Sequence, residues 1–423
     1  MRWCRLKLNI LIADPVAYGG GIGTSVAALA SHFTRLGHRV TLASPRRNRP
    51  NSSAEVDPCV EWINWPKNDE VDLSVKLLLK GQSLGLLLKK PLLEVYFEEK
   101  REALARKALL KFVQDKRFDH CLFPGVVGWS ACRLRIPSSC MIHDLNWNHY
   151  PDNFPGKSPD RLNSNVKAWI QKTDIAFCVS EATRKEVLEL FPWASNKLVA
   201  IPHGFTIPDK AIERPNSELA SLVRDCEFLL YPSSVGSHKG HDTLLKAFAI
   251  VRKQLPNLKL VLTGGRTDEI PTPDANASPS FLRVHETYKL IRQAVGDGII
   301  FAGSVDAATL DWLYRHCSLV ALPTEYEGFG LPLLEAWAVS APVVATRINA
   351  FEEIAKRYGE PTPTVYVEPM NEQAMAKAIL SHSLSFGGGR ISRVADLSGW
   401  SWESAATAYI DEIEKHMEIR KVL

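Results

Sequence analysis

The chain has 423 residues, too many for one ordinary hydrophobic core, so two domains of about 200 residues each are expected. Hydrophobic residues make up 45% and charged residues 23%, the balance of a globular enzyme. A net charge of +4 is small for this length; with no zinc-finger spacing and no aromatic–basic RNA motif, it argues against a nucleic-acid partner.

Residues 6–14, LKLNILIAD, are nearly all apolar and read as a buried parallel strand. PVAYGGGIGT follows as a glycine loop, SVAALASHFTRLG as an amphipathic helix and HRVTLAS as a second strand, the opening of a doubly wound α/β domain. FDHCLFPG and SSCMIHD read as later strands, VKAWIQKTD as a helix, IAFCVS as a strand, EATRKEVLELF as a helix, and KLVAIPHGF as a strand entering a loop. Residues 207–222, polar and with two prolines, read as a linker. The pattern restarts at EFLLYPSS and runs through HDTLLKAFAIVRKQL, LKLVLTGG, GIIFAGS, AATLDWLYRHC, LVALPT, LPLLEAWAVS and PVVAT as alternating helices and strands. SWESAATAYIDEIEKHMEI reads as one amphipathic helix. The expected division is 1–206, linker 207–222, 223–400, and a terminal helix over 401–423.

Eight cysteines (Cys4, Cys59, Cys121, Cys132, Cys140, Cys178, Cys226 and Cys317) form no C-x-x-C pair and suit buried free thiols in a reducing compartment. The apolar run at the start is too short for a signal peptide, and no stretch of about 18 apolar residues would span a bilayer, so a cytoplasmic location is expected. Residues 75–93 combine many leucines with Lys76, Lys80, Lys89 and Lys90, and Arg101, Arg106, Lys107 and Lys111 follow. Two readings of 75–113 stay open: a basic surface on anionic lipid, and a core-packing helix with snorkelling lysines. Gly81, Gly85 and Pro91 weaken any continuous helix there.

Residues 325–338, EYEGFGLPLLEAWA, carry Glu327 and Glu335 on either side of a glycine-rich bend. Pro332 suits the first turn of a helix, and Gly328 and Gly330 let the amides of Phe329, Gly330 and Leu331 point outward together, an anion site reinforced by the helix dipole. A carboxylate repels phosphate, so Glu335 suits ribose hydroxyls and Glu327 a sugar on the other side. One phosphate nest with an acid on each flank fits a nucleotide-sugar. The plainer alternative is a capped helix with Glu335 stabilising its own N-terminus.

Glu327-x7-Glu335 resembles the signature of glycosyltransferase family 4, retaining enzymes of the GT-B fold with two Rossmann-like doubly wound domains facing across a cleft. GGGIGT resembles that family's glycine loop, IHDL its His-Asp pair, VSEATRKEVLELF its strand–helix before the linker, IPHGF its Ile-Pro-x-Gly stretch, and KGHDTLLKAF its Lys-Gly segment. The likeness keeps this order over nearly the whole chain. It implies that a hexose passes from a UDP- or GDP-sugar to a glycan or lipid-linked glycan, with retained configuration and without a cofactor or metal. It assigns His143, Glu327 and Lys239 to catalysis, and Ser234, Lys239, Gly328, Phe329, Gly330, Leu331 and Glu335 to the donor. Gly20, Gly21, Gly23 and Asp144 fall to an acceptor or phosphate loop. Two positions depart from the family. Its usual arginine is Ser234 here, a hydroxyl without charge, and its glycine after the acidic helix is Ser340, expected to be a packing difference.

Other constellations are weaker. GGGIGT has no register for G-x-G-x-x-G, since Thr24 or Val26 falls where the last glycine belongs, and no acid ends the second strand. His238 and His241 flank Lys239-Gly240 at metal-ligand spacing, but without a third ligand nearby. No Asp-x-Asp pair, nucleophile elbow or P-loop occurs. A reading from another class is a non-catalytic, membrane-peripheral nucleotide-sugar scaffold or sensor, whose support is Ser234.

Overall fold

The computed structural model describes residues 7–14, 20–44, 56–64, 103, 106–154, 156–205, 217–223, 226–274, 277–296, 298–385 and 398–422. The chain forms two parallel sheets. The first comprises β1 (Asn9–Ala13), β2 (Arg39–Ser44), β3 (Glu61–Asn64), β4 (His120–Phe123), β5 (Ser138–Ile142), β6 (Ile175–Cys178) and β7 (Leu198–Ala200), in the order β3-β2-β1-β4-β5-β6-β7. The second comprises β8 (Phe228–Pro232), β9 (Lys259–Thr263), β10 (Ile299–Gly303), β11 (Leu319–Leu322), β12 (Val343–Thr346) and β13 (Thr364–Val367), ordered β10-β9-β8-β11-β12-β13. The pairings among the described strands are parallel, and the inner strands β4, β5, β6, β11 and β12 are buried along their whole length. That is why β6, β11 and β12 read as near-continuous apolar runs rather than alternating ones: helices cover both faces.

Strand order reverses between β1 and β4 in the first sheet and between β8 and β11 in the second. At such a switch point the loops leaving neighbouring strands diverge and open a crevice. The loops after β8 and β11 hold Lys239 and Glu327, and His143 and Asp144 leave β5, the strand beside β4 at the first sheet's switch point.

The Trp402–Val422 helix packs on the Gly20–Arg35 helix of the first sheet. Its Tyr409 ring lies 6.4 Å from Phe33 and 4.6 Å from Phe177. Phe205, just after β7, bridges to Ser401, so the chain leaving the first sheet meets the chain returning to it.

Local differences from the sequence reading have local causes. Residues 217–223, read as the end of a polar linker, form a helix with Leu219 and Val223 buried. The glycine stretch is not a loop from Gly20 onward: Gly20, with φ +58°, opens the 16-residue Gly20–Arg35 helix, and Gly21 and Gly23 lie in its first turn. The basic leucine-rich segment 75–93 lies outside the described residues. Beyond it, residues 106–115 are helical, with Leu109 and Val113 buried and Lys107 and Lys111 exposed, the arrangement of a core-packing helix. No described helix is long and apolar enough to cross a membrane. Of the described cysteines, Cys121, Cys132, Cys140, Cys178 and Cys317 are buried, whereas Cys59 is exposed. Burial pushes the thiols of Cys132 and Cys140 up to about 11 and about 12, which keeps them protonated and unreactive.

Candidate active site

The loop after β8 ends in a short turn, Ser237–Lys239, sewn to the loop after β11. The Glu325 N–H donates to the His238 carbonyl at 2.8 Å, and the Tyr231 hydroxyl donates to the Lys239 carbonyl at 2.5 Å. This fixes Lys239 against Glu327: Nζ lies 2.6 Å from Oε1, with both side chains about one-sixth exposed (16% and 15%). The Thr324 hydroxyl stands 3.1 Å from the same oxygen. The sequence reading set Lys239 on the diphosphate and Glu327 on the sugar; here the two are joined. Lys239 thus reaches a ligand only by sharing or exchanging its carboxylate partner. Ser234 is exposed at the start of this loop and contributes no charge.

Gly330 has φ +108° and caps the Leu331–Ala338 helix, with Pro332 in the first turn. Only glycine adopts that backbone without strain. Gly328 is required for another reason: a Cβ there would overlap the His143 carbonyl of the first domain. The turn therefore lies directly against the opposite wall. Phe329 is buried between His203 and Trp400, at ring distances of 5.4 and 6.1 Å. Glu335, one turn into the helix, accepts a 2.6 Å hydrogen bond from the Tyr314 hydroxyl. Burial raises its carboxyl, and that hydrogen bond opposes the rise. The partner is Tyr314, not the helix's own N-terminus, which removes the plainer alternative for this acid. Ser340 follows the helix with φ +55°, and its N–H donates to the Trp337 carbonyl at 3.0 Å. The family's glycine at this position is thus explained by a left-handed helix end, not by packing as the sequence reading supposed.

On the first-domain wall, His143 Nε2 lies 2.7 Å from the Pro124 carbonyl, so Nε2 carries the proton and Nδ1 is left as an acceptor. Burial lowers the His143 imidazole to about 4, partly offset by that carbonyl. Asp144 Oδ1 accepts the Asn146 N–H at 3.1 Å. Burial lifts the Asp144 carboxyl to about 6; Asn146 and Lys239 pull it down, and Glu327 and Glu186 push it up. The His203 ring lies 5.4 Å from that of His143, tilted by 33°, and its Nε2 lies 3.4 Å from the Ser25 hydroxyl, in the helix that Gly20 opens. Gly20 and Gly21 are exposed, with open space where a side chain would stand, while Gly23 is buried. The structure thus gathers His143, Asp144, Gly328, Glu327 and Lys239 at one junction. Of the pair read as metal-like, His238 Nδ1 lies 2.9 Å from Asn153 Nδ2, and His241 packs against Tyr231 with ring centroids 4.8 Å apart.

A cavity of about 1000 Å³ opens beside Glu327 between the domains. Its lining includes His149, Tyr150, Glu186, Glu325 and Tyr326. The Tyr326 hydroxyl donates to Glu186 at 2.6 Å and accepts the Leu145 N–H at 3.0 Å, and the Tyr150 hydroxyl donates to Glu325 at 2.9 Å. The His149 and Tyr326 rings lie 5.1 Å apart.

A family model described as Glycosyltransferase Family 4 matches residues 19–207, and one described as Glycosyl transferases group 1 matches residues 219–383. A D-inositol 3-phosphate glycosyltransferase 2 from Catenulispora acidiphila is 30% identical over 307 residues, 68% of each chain. The chain belongs to the group 1 glycosyltransferases. Another relative of this glycosyltransferase, D-inositol 3-phosphate glycosyltransferase of Kineococcus radiotolerans, is 26% identical over 345 residues, covering 78% of this chain and 73% of that one. The serotype-specific mannosyltransferase WbdA of Escherichia coli is 26% identical over 220 residues, 51% of this chain but 26% of WbdA. Among solved structures, a sucrose-phosphate synthase from Thermosynechococcus elongatus superposes with TM-score 0.66 at 18% identity, covering 96% of this chain and 98% of that one. Anabaena HepE in complex with UDP-glucose gives 0.59 at 16%, covering 98% and 100%. At these identities the superpositions establish the GT-B fold and nothing finer.

Sequence reasoning passed over Ser180, Thr183, Tyr326, Glu186 and Glu353. Ser180 and Thr183 sit inside a recognised segment, VSEAT, where a serine before a helix reads as a cap. Nothing in the sequence marks their second partner across the cleft.

Proposed function

We propose that this glycosyltransferase moves a hexosyl group from a UDP- or GDP-sugar to a hydroxyl of a glycan or lipid-linked glycan, with retention of configuration and without a metal ion. The observation that carries this is the joint placement of Lys239, Glu327 and the glycine-opened helix at the switch point of the second sheet. Negative charge builds on the departing diphosphate, so a cation and the Phe329–Leu331 amides stabilise the transition state more than the ground state. When diphosphate draws Lys239 away, Glu327 is released to accept hydroxyls of the sugar. Glu335, held by Tyr314, takes the ribose hydroxyls. His143, uncharged, offers Nδ1 as an acceptor to the transferred sugar. In a retaining reaction without a covalent intermediate, the acceptor hydroxyl approaches on the leaving-group side and its proton passes to a phosphate oxygen. Closure of the cleft favours transfer over hydrolysis by excluding water.

The cavity supports a hydroxyl-rich acceptor. Its lining carries seven glutamates against four lysines and arginines, a surface that accepts hydroxyl hydrogen bonds and repels phosphate. The Tyr326 and His149 rings offer faces to sugar C–H groups. A phosphorylated acceptor would place its phosphate elsewhere, and the first turn of the Gly20–Arg35 helix, free of acids, suits it. The scaffold reading keeps Ser234 as its one support.

The test is a panel of UDP-, GDP- and ADP-sugars with purified protein and EDTA, read by thermal shift, nucleotide release and the anomeric signal of the product. Stabilisation and slow release with one nucleotide, and a retained anomer on an added glycan, are expected. Binding without any turnover would leave the scaffold reading standing in its place.

A further inference from the structure

The Glu181–Leu190 helix begins where the two domains meet. The first amides of a helix have no partner within it. Here the Glu181 and Ala182 N–H groups donate to the two carboxylate oxygens of Glu353, from the second domain, at 2.8 Å each. The Thr183 N–H donates to the Ser180 hydroxyl oxygen at 3.0 Å, and the Arg184 N–H to the Ser180 carbonyl at 3.0 Å. The helix start is thus completed by a side chain from across the cleft.

Ser180 has a second bond. Its hydroxyl donates to the Gly328 carbonyl at 2.6 Å, and the Thr183 hydroxyl lies 3.2 Å from that same oxygen. The peptide unit is planar and trans, so its C=O and N–H point in opposite directions. Holding the Gly328 carbonyl toward the first domain aims the Phe329 N–H the other way. Phe329 is the first of the amides assigned to the leaving diphosphate. The same Gly328 has no space for a side chain because the His143 carbonyl stands there. The first domain therefore grips this one peptide from two sides.

We infer that Ser180 and Thr183 are positioning residues, which orient the Gly328–Phe329 peptide so that the anion-binding amides of the second domain are aligned when the domains are closed. This rests on the transferase reading above. It ties cleft closure to the readiness of the leaving-group site: an open enzyme binds nucleotide but holds this amide loosely, and hydrolysis of the donor before the acceptor is enclosed is slowed.

The experiment compares Ser180→Asp, Ser180→Thr and Thr183→Val in the full chain. Aspartate still caps the helix but has no proton to give the Gly328 carbonyl, whereas threonine keeps both roles. Transfer kinetics and calorimetric binding of UDP or GDP, whichever the wild type takes, are measured together. Ser180→Asp should lower kcat by about 10- to 100-fold, short of the full loss of an oxyanion donor. Nucleotide affinity should stay within about threefold, and Ser180→Thr should restore kcat to near wild type. Thr183→Val, nearly isosteric, should lower kcat by a smaller factor and serves if Ser180→Asp does not fold. An active wild type with unchanged kcat in Ser180→Asp, or in Thr183→Val where the aspartate variant is unfolded, overturns the positioning role alone. Equal losses in kcat and nucleotide affinity also overturn it. A wild type with no transfer from any donor overturns both this role and the transferase reading.

Discussion

On the second-domain wall of the cleft, Lys239 and Glu327 are paired at 2.6 Å, each about one-sixth exposed. On the first-domain wall, His143 and Asp144 stand close by in the same cleft, yet burial works against charge on both, lowering one to about 4 and raising the other to about 6. On the proposed function the difference is one of task. The second domain would exchange its Lys239–Glu327 pair for a diphosphate. The first domain supplies oriented hydrogen bonds and backing, from His143, Ser180 and Thr183, where a fixed charge would compete for Lys239.

The largest expected effect lies on the charged wall. Lys239→Met should cut kcat by about 10²- to 10³-fold, the cost of removing a principal stabiliser of the leaving group. A rate within threefold of wild type would end the assignment. Next comes Glu335→Gln, which keeps an acceptor for Tyr314 but loses the charge-assisted bonds to ribose. A charged hydrogen bond contributes about 1.5–3 kcal/mol, so nucleotide affinity should fall by about 10- to 100-fold with kcat little changed. Calorimetry with the free nucleotide would show it, and an unaltered dissociation constant would place the ribose elsewhere.

The buried wall is tested by pH. The Asp144 carboxyl rises from 3.8 to about 6 on folding, so between those values the folded state holds more protons than the unfolded one. Stability therefore falls as pH rises through that window, and the cost is fully present above about pH 6. Asp144→Asn should stabilise the protein at pH 7.5 by about 1–3 kcal/mol and do little at pH 4. Equal urea midpoint shifts at the two pH values would contradict this. His143 has the opposite sign: its neutral folded form adds stability as pH rises from about 4 to 6.5, and above that its protonation no longer matters.

Two smaller changes sharpen the contrast. Ser234→Arg would add a second cation to the charged wall at an exposed position, and nucleotide affinity should improve by about tenfold, with a steeper dependence on salt. Ser340→Gly relieves a left-handed serine just past the Leu331–Ala338 helix, and should stabilise by about 1 kcal/mol without altering kinetics. Should Ser340→Gly change kcat, the helix carrying Glu335 responds to its own C-terminal end.

Much of the fold was legible because its cause is local. Apolar runs such as NILIA and LVAL are what a strand covered on both faces requires. Short strands escaped notice. Glu61–Asn64 and Thr364–Val367 lie at sheet edges, carry polar residues and lack that apolar signature. Within the site, the bend at Gly328 and Gly330 and the helix start at Leu331 followed from glycine and proline chemistry over a few residues. The pairing of Lys239 with Glu327 did not, because it depends on the Glu325–His238 bond that brings two strand ends together.

The sequence alone determined two doubly wound sheets in succession and a turn flanked by acids eight positions apart, since strand periodicity, helix capping and turn preference act over one or two turns of chain. The tertiary structure decided the rest. It set Lys239 on Glu327 across 88 residues, tied Ser180 to the Gly328 carbonyl across 148, and enclosed the half-buried His143 and Asp144 enough to shift their protonation. These are properties of packing: a hydrogen bond needs its atoms within about 3 Å, and burial needs neighbours on all sides. Neither condition is written in the order of residues until the two domains meet.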